Sequence, residues 1–207
     1  DNILPLAITQ VDSSLACVAG ITDSNEWIRP EPIYVSDIKN GLFKYEYATK
    51  ITYEKLNVVD ARKEDKRLCG AKNQYFRPKY DKNFKSRIYM VLDESLEDIF
   101  CSGRSVGIIK INIKDITYGR TLGGKKNFRL IFTNNNKEYN FIVRDYFFVQ
   151  EMQEELINGS LQEKNKKNII TKYSMSEVFL TVSLTKPTSF SGPYNGCQAI
   201  AAGIHCY

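Results

Sequence analysis

Residues 106–144 read VGIIKINIKDITYGRTLGGKKNFRLIFTNNNKEYNFIVR, and this stretch decides the fold class. Apolar and polar residues alternate through it, and the alternation is interrupted by Gly123-Gly124 and by Asn134-Asn135-Asn136. Alternation is typical of strands with one buried face, and Gly and Asn favour the tight turns of hairpins. The stretch therefore predicts a meander of three strands, at 108–121, 128–133 and 138–143.

Outward from this meander, short apolar runs between turn signals predict further strands. They cover 3–10, 16–22, 27–30, 50–61, 178–185 and 197–204. Two helices are expected, one at 93–100 with Asp93 as its cap and one at 145–158 capped by Asp145. The second carries apolar residues at four-residue spacing and an acidic exposed side. Residues 163–168 are expected to form a polar, Lys-rich connection.

Length and composition limit the class of protein. The 207 residues are 43% hydrophobic and 26% charged, which is typical of a globular chain with a substantial core. The sequence contains no apolar run long enough for a membrane span and no secretory signal, so a cytoplasmic protein without a membrane partner is expected. The five cysteines form no CxxC pair, and the one histidine, His205, is third from the end. We therefore expect no metal site, no cofactor and no catalytic residues.

Two similar units are suggested by a short internal repeat. Ala19-Gly20-Ile21 ends the first predicted hairpin, and Ala202-Gly203-Ile204 ends the last. Each unit would span roughly a hundred residues, a size that suits a small five-stranded barrel. The sequence thus predicts a mostly β protein of two tandem small β-barrels with one or two peripheral helices, divided into 1–103 and 104–207.

Positive charge is concentrated between residues 61 and 90. This window holds ten Lys or Arg and three Asp or Glu, whereas the whole chain has a net charge of +5. Tyr and Phe alternate with the cations, a composition typical of surfaces that neutralise phosphates and stack bases. The alternative is a solvated loop whose rings turn back into the core.

Two sharper motifs are incomplete. Residues 119–126 approach the phosphate-binding loop G-x-x-x-x-G-K-[ST], but Lys126 replaces the hydroxyl and a strand pattern follows in place of a helix. A β-turn is therefore expected. Asp60, Glu64 and Lys66 imitate the carboxylates and lysine of metal-dependent nucleases, which require an α/β core that this chain does not predict.

The order of segments resembles the dual OB-containing domain family of bacterial conflict systems. The segments that carry the resemblance are Cys17-Val18-Ala19-Gly20-Ile21, Trp27-Ile28-Arg29-Pro30, Leu56-Asn57-Val58-Val59-Asp60, Ser105-Val106-Gly107-Ile108-Ile109-Lys110, Arg129-Leu130-Ile131-Phe132-Thr133, Lys137-Glu138-Tyr139, Val143-Arg144-Asp145 and Val182-Ser183-Leu184-Thr185-Lys186-Pro187. The resemblance implies two OB-fold barrels and a role in antiviral defence. The basic block from Arg62 and a longer loop at 188–196 depart from the family pattern.

The combined prediction is a non-catalytic module that binds single-stranded DNA or RNA, as a sensor in a bacterial defence system. The residues predicted to bind nucleic acid are Arg29, Arg62, Lys66, Arg67, Tyr75, Arg77, Tyr80, Arg87, Arg120, Lys125, Lys126 and Arg129. Two alternatives stay open. One is an adaptor that docks an effector enzyme through the acidic helix and residues 190–194, and the other is a metal-dependent nuclease.

Overall fold

The computed structural model describes residues 2–51, 67–69, 77–120, 124–185, 194 and 196–207, and for 67–69 it describes the backbone. The first half of the chain contains β1 (Asn2–Gln10), β2 (Leu15–Ile21), β3 (Trp27–Glu31), β4 (Ile33–Tyr34), α1 (Val35–Lys39), β5 (Tyr47–Lys50), β6 (Arg67–Cys69), β7 (Lys79–Tyr80) and α2 (Phe84–Met90).

The second half contains β8 (Leu92–Asp93), α3 (Leu96–Phe100), β9 (Val106–Arg120), β10 (Lys126–Asn134), β11 (Lys137–Val143), α4 (Tyr146–Glu154), β12 (Leu156–Ile157), β13 (Ser160–Leu161), α5 (Glu163–Ser174), β14 (Val178–Leu184) and β15 (Ala199–Cys206). The predicted mostly β fold is confirmed.

A closed five-stranded β-barrel is built from the second half. Its strands pair in the order β9, β10, β11, β15, β14 and back to β9, so the sheet has no free edge between them. All pairs are antiparallel except β11 with β15. The predicted meander at 106–144 forms the first three of these strands. The closed ring buries a core that includes Ile116, Leu130, Phe132 and Leu180.

The length of β9 is what closes the barrel. Its first residues pair with β14 and its last residues pair with β10. A register shift opposite Ile131 and Phe132 interrupts the second pairing. Irregularities of this kind increase strand twist and bending, which lets one long strand belong to both sides of a barrel.

The first half repeats four of the five pairings of the barrel. β1 pairs antiparallel with β2 and β5, β2 pairs antiparallel with β3, and β3 pairs parallel with β6. In the barrel, the corresponding pairings are those of β9 with β10 and with β14, of β10 with β11, and of β11 with β15. The remaining counterpart would join β5 to β6, and it is not among the pairings of the described residues. The predicted boundary at residue 103 stays a prediction.

The two Ala-Gly-Ile segments do not occupy equivalent strands. Gly20 belongs to β2, whereas Gly203 belongs to β15. Both nevertheless lie against β1: a Cβ atom would stand 2.2 Å from the Leu4 carbonyl oxygen at Gly20, and 2.0 Å from the Leu6 carbonyl oxygen at Gly203. The likeness therefore reflects a shared packing requirement, since only glycine lets another backbone approach so closely.

The contact of β1 with the barrel, here called the seam, has an apolar interior. Leu4 and Leu6 share one buried cluster with Ile108 and Phe179, and Phe84 of α2 completes it. A second cluster of small side chains combines Ala7, Ala19, Val106 and Ala202. Small residues allow the strands of the two halves to lie close together, so the halves share a continuous core.

The helices differ from the prediction at four points. α3 begins after Ser95, whose hydroxyl accepts the amide of Asp98, and Asp93 instead pairs with Arg104. α4 is capped by Asp145 as predicted but ends at Glu154. The expected connection at 163–168 is the start of α5, which forms because Ile169 and Tyr173, four residues apart, bury one side of it. The short helices α1 and α2 were not predicted from the sequence.

We expect Gly203→Ala to lower the free energy of unfolding by about 1–3 kcal/mol, because the added methyl meets main-chain atoms that cannot rotate away. Gly119→Ala is the matched control, since a Cβ there meets nothing within 4 Å. Its effect should stay within about 0.5 kcal/mol. Urea unfolding followed by the fluorescence of Trp27 measures both variants, and equal stabilities would contradict the close approach of β15 to β1.

Candidate nucleic-acid interface

A crevice of ≈ 490 Å³ opens where the seam meets the surface. Its first wall comes from the ends of β1 and β2 and from β3, and includes Thr9, Arg29 and Glu31. Its second wall comes from the barrel, and includes Lys125, Arg144 and Thr185. The crevice therefore exists only because the two halves are packed together.

Among the residues that the structure describes, three cations and one carboxylate line the crevice, an excess of positive charge. The cations are Arg29, Lys125 and Arg144, and the carboxylate belongs to Glu31. They come from three different places in the chain: β3 (Arg29 and Glu31), the residues before β10 (Lys125) and the residue after β11 (Arg144). A concave wall with one dominant sign of charge concentrates ligands of the opposite sign.

Arg29 lies deep in the crevice. It is 5% exposed, and its Nη2 donates to the Ser183 hydroxyl at 3.0 Å. Alternation along a strand predicts that Arg29 lies on the open face opposite a buried Ile28, but Ile28 and Arg29 are both buried. The reason is that β3 is covered on both sides, because the barrel packs against the face that alternation alone assigns to solvent.

Arg144 stands between the barrel strand β11 and the capping residue Asp145. Its amide donates to the Ala201 carbonyl oxygen, which holds the main chain in place. Partial burial lowers the pKa of the Arg144 guanidinium. Among the residues that the structure describes, this guanidinium has no hydrogen-bond or ion-pair partner. Because the Arg144 side chain is exposed and its guanidinium has no counter-charge among the described residues, an anion can contact it directly.

Two hydroxyl groups add neutral donors to the same cavity. The Ser183 hydroxyl accepts from Arg29, and the Thr185 hydroxyl accepts from the amide of Gln198 at 3.0 Å. Each hydroxyl still carries its own hydrogen, because a hydroxyl has one donor besides its acceptor lone pairs. In the described part of the chain no acceptor takes these hydrogens.

Much of the remaining described lining of the crevice is apolar. Val11 and Leu15 stand at the tip of the β1–β2 hairpin and remain exposed, Val11 at 64%. Ile33, Leu184 and Ile200 also belong to this apolar lining. The crevice thus combines a cationic part with an apolar part, as a ligand with a charged group and a flat apolar group would require.

A second cavity of ≈ 260 Å³, the side pocket, adjoins the crevice. The two share Gln10, Val11 and Arg144. The side pocket adds Tyr118, Tyr146 and Lys126. The Lys126 ammonium lies 5.5 Å from the centroid of the Tyr118 ring and donates to the Gly159 carbonyl oxygen at 3.1 Å. Arg144 therefore stands at the junction of a cationic cavity and one with aromatic walls.

The structure gathers only some of the predicted binding residues. Arg29, Lys125 and Lys126 line the two cavities, and Arg120 pairs with Lys126 at the adjoining strand ends. Arg129 lies on β10, where its guanidinium donates to the side chain and the carbonyl oxygen of Asn140. The region 119–126 contains no helix in its described residues, and β10 follows it as expected.

Of the binding residues predicted between 61 and 90, none whose side chain the structure describes lines either cavity. Arg77 and Tyr80 are exposed, and in the sheet order β7 is separated from β3 by β2, β1 and β5. The Arg87 guanidinium is engaged by the Asp81 carboxylate at 3.2 Å and by the Thr22 carbonyl oxygen. The backbone of Arg67 pairs with β3. The predicted residues outside the described ones are Arg62, Lys66 and Tyr75.

Sequence reasoning did not single out Arg144, Ser183 and Thr185, which also line the crevice. Burial of Val143 and alternation along β11 indicate that Arg144 points outward, but they do not distinguish it from other exposed arginines. The structure describes only some of the residues on which the adaptor and nuclease alternatives depend. Asp60, Glu64, Lys66 and residues 190–193 lie outside the described residues, and the Tyr194 ring lies 4.6 Å from the Phe100 ring.

A buried carboxylate lies next to the crevice. Asp145 accepts from the amides of Phe148 (3.0 Å) and Ile204 (2.6 Å) and from the Tyr45 hydroxyl (3.1 Å). It therefore connects α4, β15 and the first half of the chain. Loss of hydration raises the pKa of Asp145 to about 6, although the three hydrogen bonds oppose the shift.

His205 is buried in the seam rather than at a frayed terminus. It is 3% exposed within β15, and its Nε2 lies 2.9 Å from the Leu6 carbonyl oxygen and 3.3 Å from the Thr181 hydroxyl. Its ring contacts Tyr45 edge-on, with 4.6 Å between centroids. Burial lowers the pKa of His205 to about 4, so the ring is neutral near pH 7. The terminal position was misleading because β15 is a central barrel strand.

Two broader observations concern metal binding and membrane-spanning helices. Among the described residues, no group of three or more His, Cys, Asp or Glu side chains is arranged to hold a metal ion. None of the helices in the described ranges has the length and apolar composition needed to cross a bilayer.

Comparison of the chain with models of known protein families and with curated proteins finds no match.

We expect Asp145 and His205 to give opposite pH dependences that largely cancel between about pH 4 and 6. The folded pKa of Asp145 is raised to about 6, so its folded state binds more protons in this window and stability falls as pH rises. The folded pKa of His205 is lowered to about 4, so the unfolded state binds more protons and stability rises with pH.

His205→Gln keeps a donor for Leu6 and should reveal the Asp145 dependence, a loss of roughly 3 kcal/mol between about pH 4 and 6. In Asp145→Asn only the His205 dependence remains, so the free energy of unfolding should rise with pH over the same range. Urea unfolding at several pH values measures both. Parallel pH profiles for the two variants and the unchanged protein would contradict the assigned protonation states.

Proposed function

We propose that this chain is a non-catalytic module that binds single-stranded DNA or RNA along the crevice and the side pocket. The observation that carries the proposal is the exposed guanidinium of Arg144, which lines both cavities and has no counter-charge among the described residues. A phosphate group would supply that counter-charge. The resemblance to the dual OB-containing domain family adds a proposed context, a sensor in a bacterial defence system.

The strand connectivity supports an OB fold as the finer description of the barrel. An OB fold is a small five-stranded Greek-key barrel that binds oligonucleotides beside the loop between its first two strands and the loop between its last two. In the present barrel these loops are the β9–β10 and β14–β15 connections. Lys125 from the first and Thr185 from the second both line the crevice. We propose that the first half, with its four matching pairings, is a second OB barrel.

The surroundings favour binding with little base preference. The apolar lining of the crevice and the rings of Tyr118 and Tyr146 offer flat surfaces to any base. Stacking on an aromatic ring contributes about 1–3 kcal/mol per base and tolerates all four bases. Cations that contact phosphates release counterions from the strand, so affinity should fall with increasing salt.

We expect Arg144→Gln to weaken binding of a fluorescein-labelled oligothymidylate about tenfold or more, since a charge-assisted hydrogen bond contributes about 1.5–3 kcal/mol. The slope of log affinity against log salt should also decrease by about 0.7, the value for one phosphate of a single strand. Fluorescence anisotropy at several salt concentrations measures both quantities.

Lys137→Gln is the matched control, because it removes one charge at the opposite end of β10 and β11, where Lys137 pairs with Glu97. It should change the affinity less than about twofold, as an exposed ion pair contributes little. Thermal unfolding confirms that both variants fold. Absence of binding by the unchanged protein at low salt, or equal losses in the two variants, would overturn the proposed function.

A further inference from the structure

We propose that the crevice holds the terminal nucleotide of the strand and recognises its phosphomonoester. This inference rests on the proposed function and specifies which part of the nucleic acid enters the larger cavity. It follows from the number of cations at one place, from the unused hydroxyl hydrogens and from the position of the side pocket.

The charge of the crevice fits a doubly charged group. Among the described residues that line the crevice, Arg29, Lys125 and Arg144 contribute three positive charges and Glu31 contributes one negative charge, a net charge of +2 for this part of the lining. An internal phosphodiester carries one negative charge. A phosphomonoester carries close to two near pH 7, because its second pKa is about 6. Concentration of three cations at one cavity therefore favours the end of a strand over its interior.

The donors also match a monoester. A terminal phosphate has three strong acceptor oxygens, one more than a diester has available for hydrogen bonding. Arg29 and Arg144 supply planar donors, and the hydroxyl hydrogens of Ser183 and Thr185 are not taken by any acceptor in the described residues. Arginine suits this task because its guanidinium donates two parallel hydrogen bonds to phosphate.

The space allows one nucleotide beyond the phosphate. A cavity of ≈ 490 Å³ lies within the range of small-molecule sites, about 300–1,000 Å³. Its apolar lining, from Val11 and Leu15 to Ile200, provides contact for a sugar and a base. The rest of the nucleic-acid strand then continues into the side pocket, where Tyr118 and Tyr146 lie. The two cavities are adjacent because they share the wall formed by Gln10, Val11 and Arg144.

The test compares labelled oligothymidylates of one length that carry a 5′-phosphate, a 3′-phosphate or no terminal phosphate, with the label at the other end. We expect one phosphorylated form to bind about tenfold tighter than the unphosphorylated strand at the same salt concentration and pH. Whichever end shows the preference identifies the polarity of the bound strand. Inorganic phosphate should reduce the preference while leaving binding of the unphosphorylated strand largely unchanged.

Two variants connect the preference to the crevice. Lys125→Gln and Ser183→Ala should reduce the advantage of the phosphorylated strand at least threefold, whereas Lys137→Gln should preserve it. Lys125 is exposed, so its variant tests the inference even if the buried Ser183→Ala variant unfolds.

The outcomes separate this inference from the function on which it rests. Equal, salt-dependent binding of all three strands would overturn recognition of the terminal phosphate and leave single-strand binding intact. Absence of binding by every strand at low salt would overturn the proposed function itself. A preference that survives in Lys125→Gln and in folded Ser183→Ala would remove the crevice as its source.

Discussion

The close approach of two strands to the backbone of β1 is the constraint on which the rest of the structure depends. Gly20 brings β2 against Leu4, and Gly203 brings the barrel strand β15 against Leu6. Because no side chain separates these backbones, the two halves share one buried interior rather than touching at their surfaces. The crevice lies at the end of this contact, so its shape follows from the same packing.

Such a tight seam has to satisfy the polar groups that it buries. Asp145 does so with three hydrogen bonds, and His205 does so through the Leu6 carbonyl oxygen. Neither side chain has a counter-charge among the described residues of the seam. Burial therefore raises the pKa of Asp145 to about 6 and lowers the pKa of His205 to about 4. Their neighbour Arg144 points to the cavity instead, where an anionic ligand would complete its environment.

Much of the fold was predictable because strands leave a local signal. Alternation located the barrel strands from residue 106 onward, and the capping role of Asp145 was read from its place before an apolar repeat. α5 was missed because its polar, Lys-rich start outweighed the spacing of Ile169 and Tyr173. The cap at Asp93 was wrong because that carboxylate pairs with Arg104, a contact that helix patterns do not encode.

The sequence by itself determined the strands, their turns and the presence of cations suited to phosphate. Only the tertiary structure decided which cations meet, because the decisive contacts join distant residues. Arg29 reaches Ser183 across 154 positions, and His205 reaches Leu6 across 199. Local periodicity reports which face of a strand is apolar, but it carries no information on which other strand will cover that face.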